Sequence, residues 1–158
     1  MNVPGTDLEM FIDGACKGNP GPASVGIVIY QDKNKIKEVS KEIGSATNNI
    51  AEYTALVYAL QEALVLKANR LKIFTDSELL FKQVTGAFEV KNEKLLVLFD
   101  QVRRLMEGFE QVELKHVPRE QNKEADHLAS QVFKKSKQVK VVASSSNEGG
   151  EESPSSEG

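Results

Sequence analysis

The chain has 158 residues, is 40% hydrophobic, and carries a net charge of −3 from 20 basic and 23 acidic side chains. That suffices for one ordinary core and is too little for two comfortable domains, and a lone cysteine, Cys16, excludes an internal disulfide. No basic-then-apolar leader opens the sequence, and its longest apolar stretch, 53–66, is broken by Thr54, Gln61 and Glu62, short of the roughly 20 residues a membrane span needs. The expected protein is cytoplasmic, soluble, without membrane contact, and monomeric by default.

In chain order, residues 1–7, with Pro4 and Gly5, read as a flexible lead-in. Leu8 to Asp13 and Ser24 to Tyr30 are short β-rich apolar runs, and Ile36 to Ile43 alternates apolar with charged residues, so three strands joined by short turns form a meander. Asn49 through Lys67 is a helix, opened by Asn49 as N-cap with Glu52 three residues on. Leu71 to Thr75 follows as a strand of continuous apolar character, of the kind buried on both faces. Ser77 to Val84 and Glu93 to Glu107 read as two helices separated by a link around Gly86. Gln111 to Val117 reads as a fifth strand, and Asn122 to about Lys135 as the last helix. The order βββαβααβα predicts an α/β fold, a five-stranded mixed sheet flanked by helices. Residues 8–136 form the predicted domain. Residues 137–158, rich in Ser, Gly and Glu, are predicted to be a disordered acidic tail, because they can bury too little apolar surface to offset ordering.

The tail also distorts the charge. Removing its two lysines and four glutamates leaves 18 basic and 19 acidic groups in residues 1–136, a surface able to hold a polyanion, though not tightly.

Four carboxylates stand where a strand gives way to a turn or a helix begins: Asp13 in FIDGACKGNPGP, Glu52 in TNNIAEYTAL, Asp76 in IFTDSELL and Asp126 in VPREQNKEADHLA. Taken singly, each has an ordinary explanation. Asp13-Gly14 is a turn dipeptide, Glu52 can close a capping box with Asn49, Asp76 can cap a helix, and Asp126 suits a first turn through the macrodipole. Taken together they converge. Asp13 and Asp76 end neighbouring strands, Glu52 and Asp126 begin helices packed nearby, and open α/β sheets bind ligands beyond their strand ends. Clustered acids stay ionised only around a cation, and oxygen ligands suit hard divalent ions.

The residues that carry these acids bear a family likeness. With DG-C-GNPGP at 13–22, TNN and Glu52 at 47–52, TDS at 75–77 and Asn122, Asp126 and LA at 122–129, the chain resembles type 1 ribonuclease H over about 8–135. It is similar to the compact form that lacks a basic handle helix. The resemblance implies the ribonuclease H-like fold with strand order 3-2-1-4-5. It implies an endonuclease that hydrolyses the RNA strand of RNA–DNA hybrids by two-metal-ion catalysis, leaving 5′-phosphate and 3′-hydroxyl ends. Two Mg²⁺ ions, with Mn²⁺ as a substitute, would be held by Asp13, Glu52, Asp76 and Asp126. Asp13 would bridge both ions, Asp126 would serve the nucleophile side, and Glu52 and Asp76 the leaving-group side. Backbone groups of Gly14, Ala15 and Cys16 and the side chains of Asn19 and Asn48 would touch the hybrid's minor groove, where the 2′-hydroxyl distinguishes RNA. Thr47 would serve a DNA phosphate. Cys16 is given no catalytic task, because two-metal chemistry needs no thiol.

Two departures from the family pattern stand out. Many relatives place a mobile histidine between the last strand and the last helix, where this chain has VPREQN. Arg119 is the replacement expected to stabilise charge at the leaving phosphate, with His116, ten residues before Asp126, as the alternative. The Thr85 to Asn92 link lacks the Trp-bearing basic helix of many bacterial relatives, leaving Lys91, Lys94 and Phe88 to grip the DNA strand in part. The rival readings are a non-catalytic hybrid- or RNA-binding module, a junction resolvase or integrase-like core, and a general exonuclease.

Overall fold

The computed structural model describes residues 5–146. Its elements are β1 (Asp7–Cys16), β2 (Gly21–Gln31), β3 (Asn34–Ala46), α1 (Asn48–Val65), β4 (Arg70–Thr75), α2 (Glu78–Val84), α3 (Glu93–Met106), β5 (Gln111–His116), a single 3₁₀ turn at Arg119–Gln121, and α4 (Lys123–Ser146). The sheet order is β3-β2-β1-β4-β5. The first three strands form an antiparallel meander, while β4 and β5 pair in parallel, as helical crossovers require. The expected order and mixed pairing are both present.

Period-two alternation on β1 and β2 builds the core. Leu8, Met10 and Ile12 face the same layer as Val25, Ile27 and Ile29, and Tyr53, Leu56 and Leu60 of α1 close over them. The other face of β1, β2 and β3 is covered by α4. Contact there is close because Gly26 presents no side chain: a Cβ at that position would collide with the Ala125 carbonyl and the Ala129 amide. The Ser24 hydroxyl donates to the Ala129 carbonyl and that of Ser40 to the Leu128 carbonyl.

Several local expectations are corrected. Strand β1 runs on to Cys16, because β2 continues the antiparallel ladder to Cys16↔Ala23 after parallel pairing with β4 has stopped at Ile12↔Thr75. Helix α1 is capped by Thr47 rather than Asn49, with the Thr47 hydroxyl accepting from the Ile50 amide at 3.2 Å. Strand β4 is buried on one face only. Leu71, Ile73 and Thr75 are inside, whereas Phe74 is half-buried, stacked on Phe11 at 4.5 Å beyond the reach of α4. The lead-in is tied down at its end: the Thr6 carbonyl accepts from the Asn69 amide at 2.7 Å, and Asp7 pairs with Arg70 at 2.8 Å. Residues 1–4 of it lie outside the described residues.

At the other terminus, α4 passes the expected stop near Lys135 and reaches Ser146. Lys137, Gln138, Lys140 and Ala143 favour helix, and no Gly or Pro occurs between Lys123 and Gly149. The rest of the predicted tail, 147–158, lies outside the described residues. Among the described residues no helix is long and apolar enough to cross a membrane.

The Gly26–α4 contact yields the first prediction. Gly26→Ala should destabilise the protein by about 2–3 kcal/mol, because backbone rather than a flexible side chain must give way, and urea denaturation measures it.

Candidate active site

The ladder pattern makes a fork. Where β4 ends at Thr75, β1 continues alone with β2, so Asp13 and Asp76 emerge side by side at the opening. Asp76 lies one residue before Ser77, the cap of α2, whose hydroxyl accepts from the Leu80 amide at 3.1 Å. The capping role allowed to Asp76 is therefore taken by its neighbour. Glu52 is likewise no capping-box partner. It lies within the first two turns of α1 and accepts a hydrogen bond from the Gly14 amide at 3.0 Å. Gly14 lets β1 and α1 touch, since a Cβ there would strike the Ala51 backbone.

Carboxylate oxygens of Asp13, Glu52 and Asp76 lie within 4.8 Å of one another. Asp126, in the first turn of α4, is within hydrogen-bonding reach of Asp13 at the solvent edge of the set, with its side chain 41% exposed. Asp13 is 5% exposed. Burial first, then the charges of Glu52, Asp76 and Asp126, push its pKa up to about 9. Burial does the same to Glu52, to about 8, against the opposing Gly14 hydrogen bond and the more distant Arg119 charge. All four predicted acids thus meet, three tightly and the fourth at the rim.

Asn122 joins them, a residue of the 122–129 motif with no role expected from the sequence. Only 1% exposed, it donates through Nδ2 to the Ile12 carbonyl at 2.8 Å and to Asp76 at 3.3 Å. Its Oδ1 is buried and, among the described residues, has no hydrogen-bond partner. The signal available in the sequence was its position four residues before Asp126.

Arg119 opens the 3₁₀ turn, 80% exposed, with its guanidinium 3.7 Å from Asp126. His116 ends β5 and stacks on Phe81 of α2 at 5.8 Å. That neighbour places it against α2, and its strand partner is Thr75, the residue before Asp76.

The predicted substrate-contact residues form a second group beside the acids. The Asn19 Oδ1 accepts from the Asn48 amide at 3.0 Å, and the Cys16 thiol lies 3.0 Å from Asn48 Oδ1. Burial pushes the Cys16 thiol up, away from the thiolate a nucleophile needs. Ala15 and Cys16 extend β1 next to Gly14. Asn19, Thr47 and Asn48 line one wall of a groove whose other wall is Asn92 and Lys94 at the start of α3. Asn92, which caps α3 by accepting from the Leu95 amide at 3.0 Å, was not anticipated as a groove residue.

A family model described as reverse transcriptase-like matches residues 11–132. The ribonuclease HI of Halobacterium salinarum is 39% identical over 130 residues, covering 82% of this chain and 65% of that protein. Its crystal structure superposes with a TM-score of 0.80 at 38% identity, over 82% of this chain and 98% of that one. A Mycobacterium tuberculosis protein named as bifunctional is 40% identical over 120 residues, 75% of this chain and 33% of its own length. LC11-RNase H1, solved in complex with an RNA/DNA hybrid, gives a TM-score of 0.77 at 34% identity, over 81% of this chain and 97% of that one. The chain therefore spans about two thirds of one curated relative and one third of the other.

Acid titration at this site has a sign. Asp13 and Glu52 rise from ordinary values of 3.8 and 4.5 to about 9 and about 8, so the folded protein keeps protons that the unfolded chain has released. Their contribution to stability is whole below pH ~4 and is lost progressively as the pH climbs towards 8–9. Without divalent cations, the melting temperature should fall between pH 5 and pH 8.5. Added Mg²⁺ should flatten that slope, and thermal scans across the range measure both effects.

Proposed function

The chain belongs to the type 1 ribonuclease H family, in the compact form without a basic handle helix, and from that premise we propose that it is an endonuclease hydrolysing the RNA strand of RNA–DNA hybrids with two divalent cations. The observation that carries the reading is the packing of the Asp13, Glu52 and Asp76 carboxylates within 4.8 Å, joined by Asp126. The hybrid bound by LC11-RNase H1 supports the substrate.

The residues fit hard cations. The donors are carboxylate oxygens, and Asn122, bonded to Asp76 through Nδ2, keeps a buried Oδ1 that among the described residues has no hydrogen-bond partner. Asp13, central and most buried, would be shared by the two ions. Glu52 and Asp76 would complete the leaving-group side, and Asp126, at the open edge, the nucleophile side. Bound there, Mg²⁺ or Mn²⁺ would supply an acidified water and charge neutralisation at the leaving oxygen. The ends left would be 5′-phosphate and 3′-hydroxyl.

The chain's own groups do the positioning. Thr47 accepts from Ile50, which leaves its O–H to donate to a DNA phosphate. The side-chain oxygens of Asn19 and Asn48 are engaged by Asn48 N–H and Cys16, which leaves their NH₂ groups to donate to 2′-oxygens and sugar atoms of the hybrid's minor groove. Gly14, Ala15 and Cys16 would offer backbone on the side of β1 that β4 leaves unpaired. Arg119 is exposed and close to Asp126, which suits a mobile cation meeting the leaving phosphate. Because these contacts avoid base edges, cleavage should be nearly sequence-independent.

Labelled RNA–DNA hybrid, RNA duplex and DNA duplex, each incubated with Mg²⁺, Mn²⁺ or EDTA and run on a gel, test the assignment. Only the RNA strand of the hybrid should be cut, and only with metal. A cut DNA strand or activity in EDTA contradicts it. Asp13→Asn should lower the cleavage rate by about 10³-fold or more while raising the melting temperature of the metal-free protein at pH 7.5, because the folded protein no longer has to hold a proton on a buried acid. Parallel loss of stability and activity would mark Asp13 as structural.

A further inference from the structure

The link between α2 and α3, residues 85–92, is nearly bare of apolar anchors. Between Gln83 and Leu95 every residue is exposed except the half-buried Val84 and Val90, and Gly86 takes φ +92. What holds this segment is hydrogen bonding. The Phe88 amide donates to the Lys82 carbonyl at 2.9 Å, the Gly86 amide to the Gln83 carbonyl at 3.2 Å, and the Gln83 side chain, through Nε2, to the Glu89 carbonyl at 3.3 Å. Gln83 is in turn fixed from the other side, because its Oε1 accepts from the Tyr53 hydroxyl at 2.6 Å.

The Tyr53–Gln83 bond is buried, with Tyr53 1% and Gln83 7% exposed, the Gln83–Glu89 bond is half-buried, and both side-chain functions of Gln83 are engaged. Buried amides are retained where their hydrogen bonds hold something in place, since their desolvation is otherwise costly. What is held here is specific. Tyr53 follows Glu52 on α1, whose first turn supplies the Asn48 wall of the groove, and Glu89 precedes the Asn92 and Lys94 wall by three and five residues. The bonds join α1 to the segment that leads into α3, the two elements that carry the walls.

We propose that Gln83 is a positioning residue for the substrate: by tying the 85–92 link to Tyr53 of α1, it sets the opening of the groove between Thr47–Asn48 and Asn92–Lys94, in which the DNA strand of the hybrid lies. The inference rests on the hybrid reading above. It acts on substrate placement, and the carboxylates do not depend on it. The handle-less link has no helix of its own to rigidify it, so the relay takes over that task.

Gln83→Met keeps the volume and removes both bonds. In the full chain it should raise KM for a hybrid about five- to tenfold with kcat within about twofold, and hydrogen exchange without substrate should speed up in 85–95 while β1 and α1 keep their protection. Tyr53→Phe should raise KM by about twofold, and the double variant should match Gln83→Met alone, because both act through one chain of contacts. If Gln83→Met does not fold, Tyr53→Phe carries the same two readouts. An unchanged KM, unchanged exchange in 85–95, or faster exchange spread through β1 and α1 overturns the proposal. Failure of the unsubstituted protein to cut hybrid defeats the nuclease reading instead, and the exchange measurement still decides whether the relay holds the link.

Discussion

Like charges held close by a rigid frame are the constraint on which the rest of the molecule turns. Two unit charges about 4 Å apart repel by about 4 kcal/mol at the effective dielectric of a protein surface. Three such pairs among Asp13, Glu52 and Asp76 would cost on the order of 10 kcal/mol, comparable with the whole stability of a domain. The folded chain therefore cannot carry the set fully ionised by itself. It keeps protons, as the raised Asp13 and Glu52 values indicate, or it takes up cations.

Such a set persists only because the frame gains its stability elsewhere. The sheet buries Met10, Ile12, Ile27 and Ile73 completely under α1, and the strand fork at Ile12↔Thr75 leaves Asp13 and Asp76 no room to separate. Two glycines matter for opposite faces of the same sheet. Gly14 admits the backbone of α1 and brings Glu52 in, while Gly26 admits α4 and brings Asp126 and Asn122 in. Asn122 closes the arrangement by binding at once Asp76 and the carbonyl of Ile12, the last β1 residue paired with β4.

Element types and the mixed sheet were legible because they depend on periodicity and on short links, which are local, whereas the strand order came with the family resemblance. The four acids were legible through their placement at element ends. Where the reading failed, longer-range packing decided. Asn49 is as good a cap as Thr47 by residue type, and only the entry of the chain from β3 selects between them. Phe74 looks like a residue buried from both sides until α4 is seen to cover β1 to β3 instead of β4. The end of α4 was misjudged by giving weight to the polar tail over the absence of any helix breaker before Gly149. Asn92 and Gln83 were invisible for a further reason: their importance is a matter of which distant residue they face.

The composition of the groove also bears on how a polyanion can be held by a protein whose residues 1–136 are close to neutral. Its walls present amides and hydroxyls from Asn19, Thr47, Asn48 and Asn92, with Lys94 as a cation offset by Glu93, so little affinity can come from counterion release. The carboxylates meanwhile repel a scissile phosphate. Cations bound among them would reverse that sign and hand the phosphate back its attraction, so cation uptake and hybrid binding must favour one another by the same factor in each direction. A nearly uncharged groove beside an acidic pocket is thus consistent with a nucleic-acid enzyme: the positive charge that most such proteins carry in their side chains would here be supplied by cations at the reacting bond.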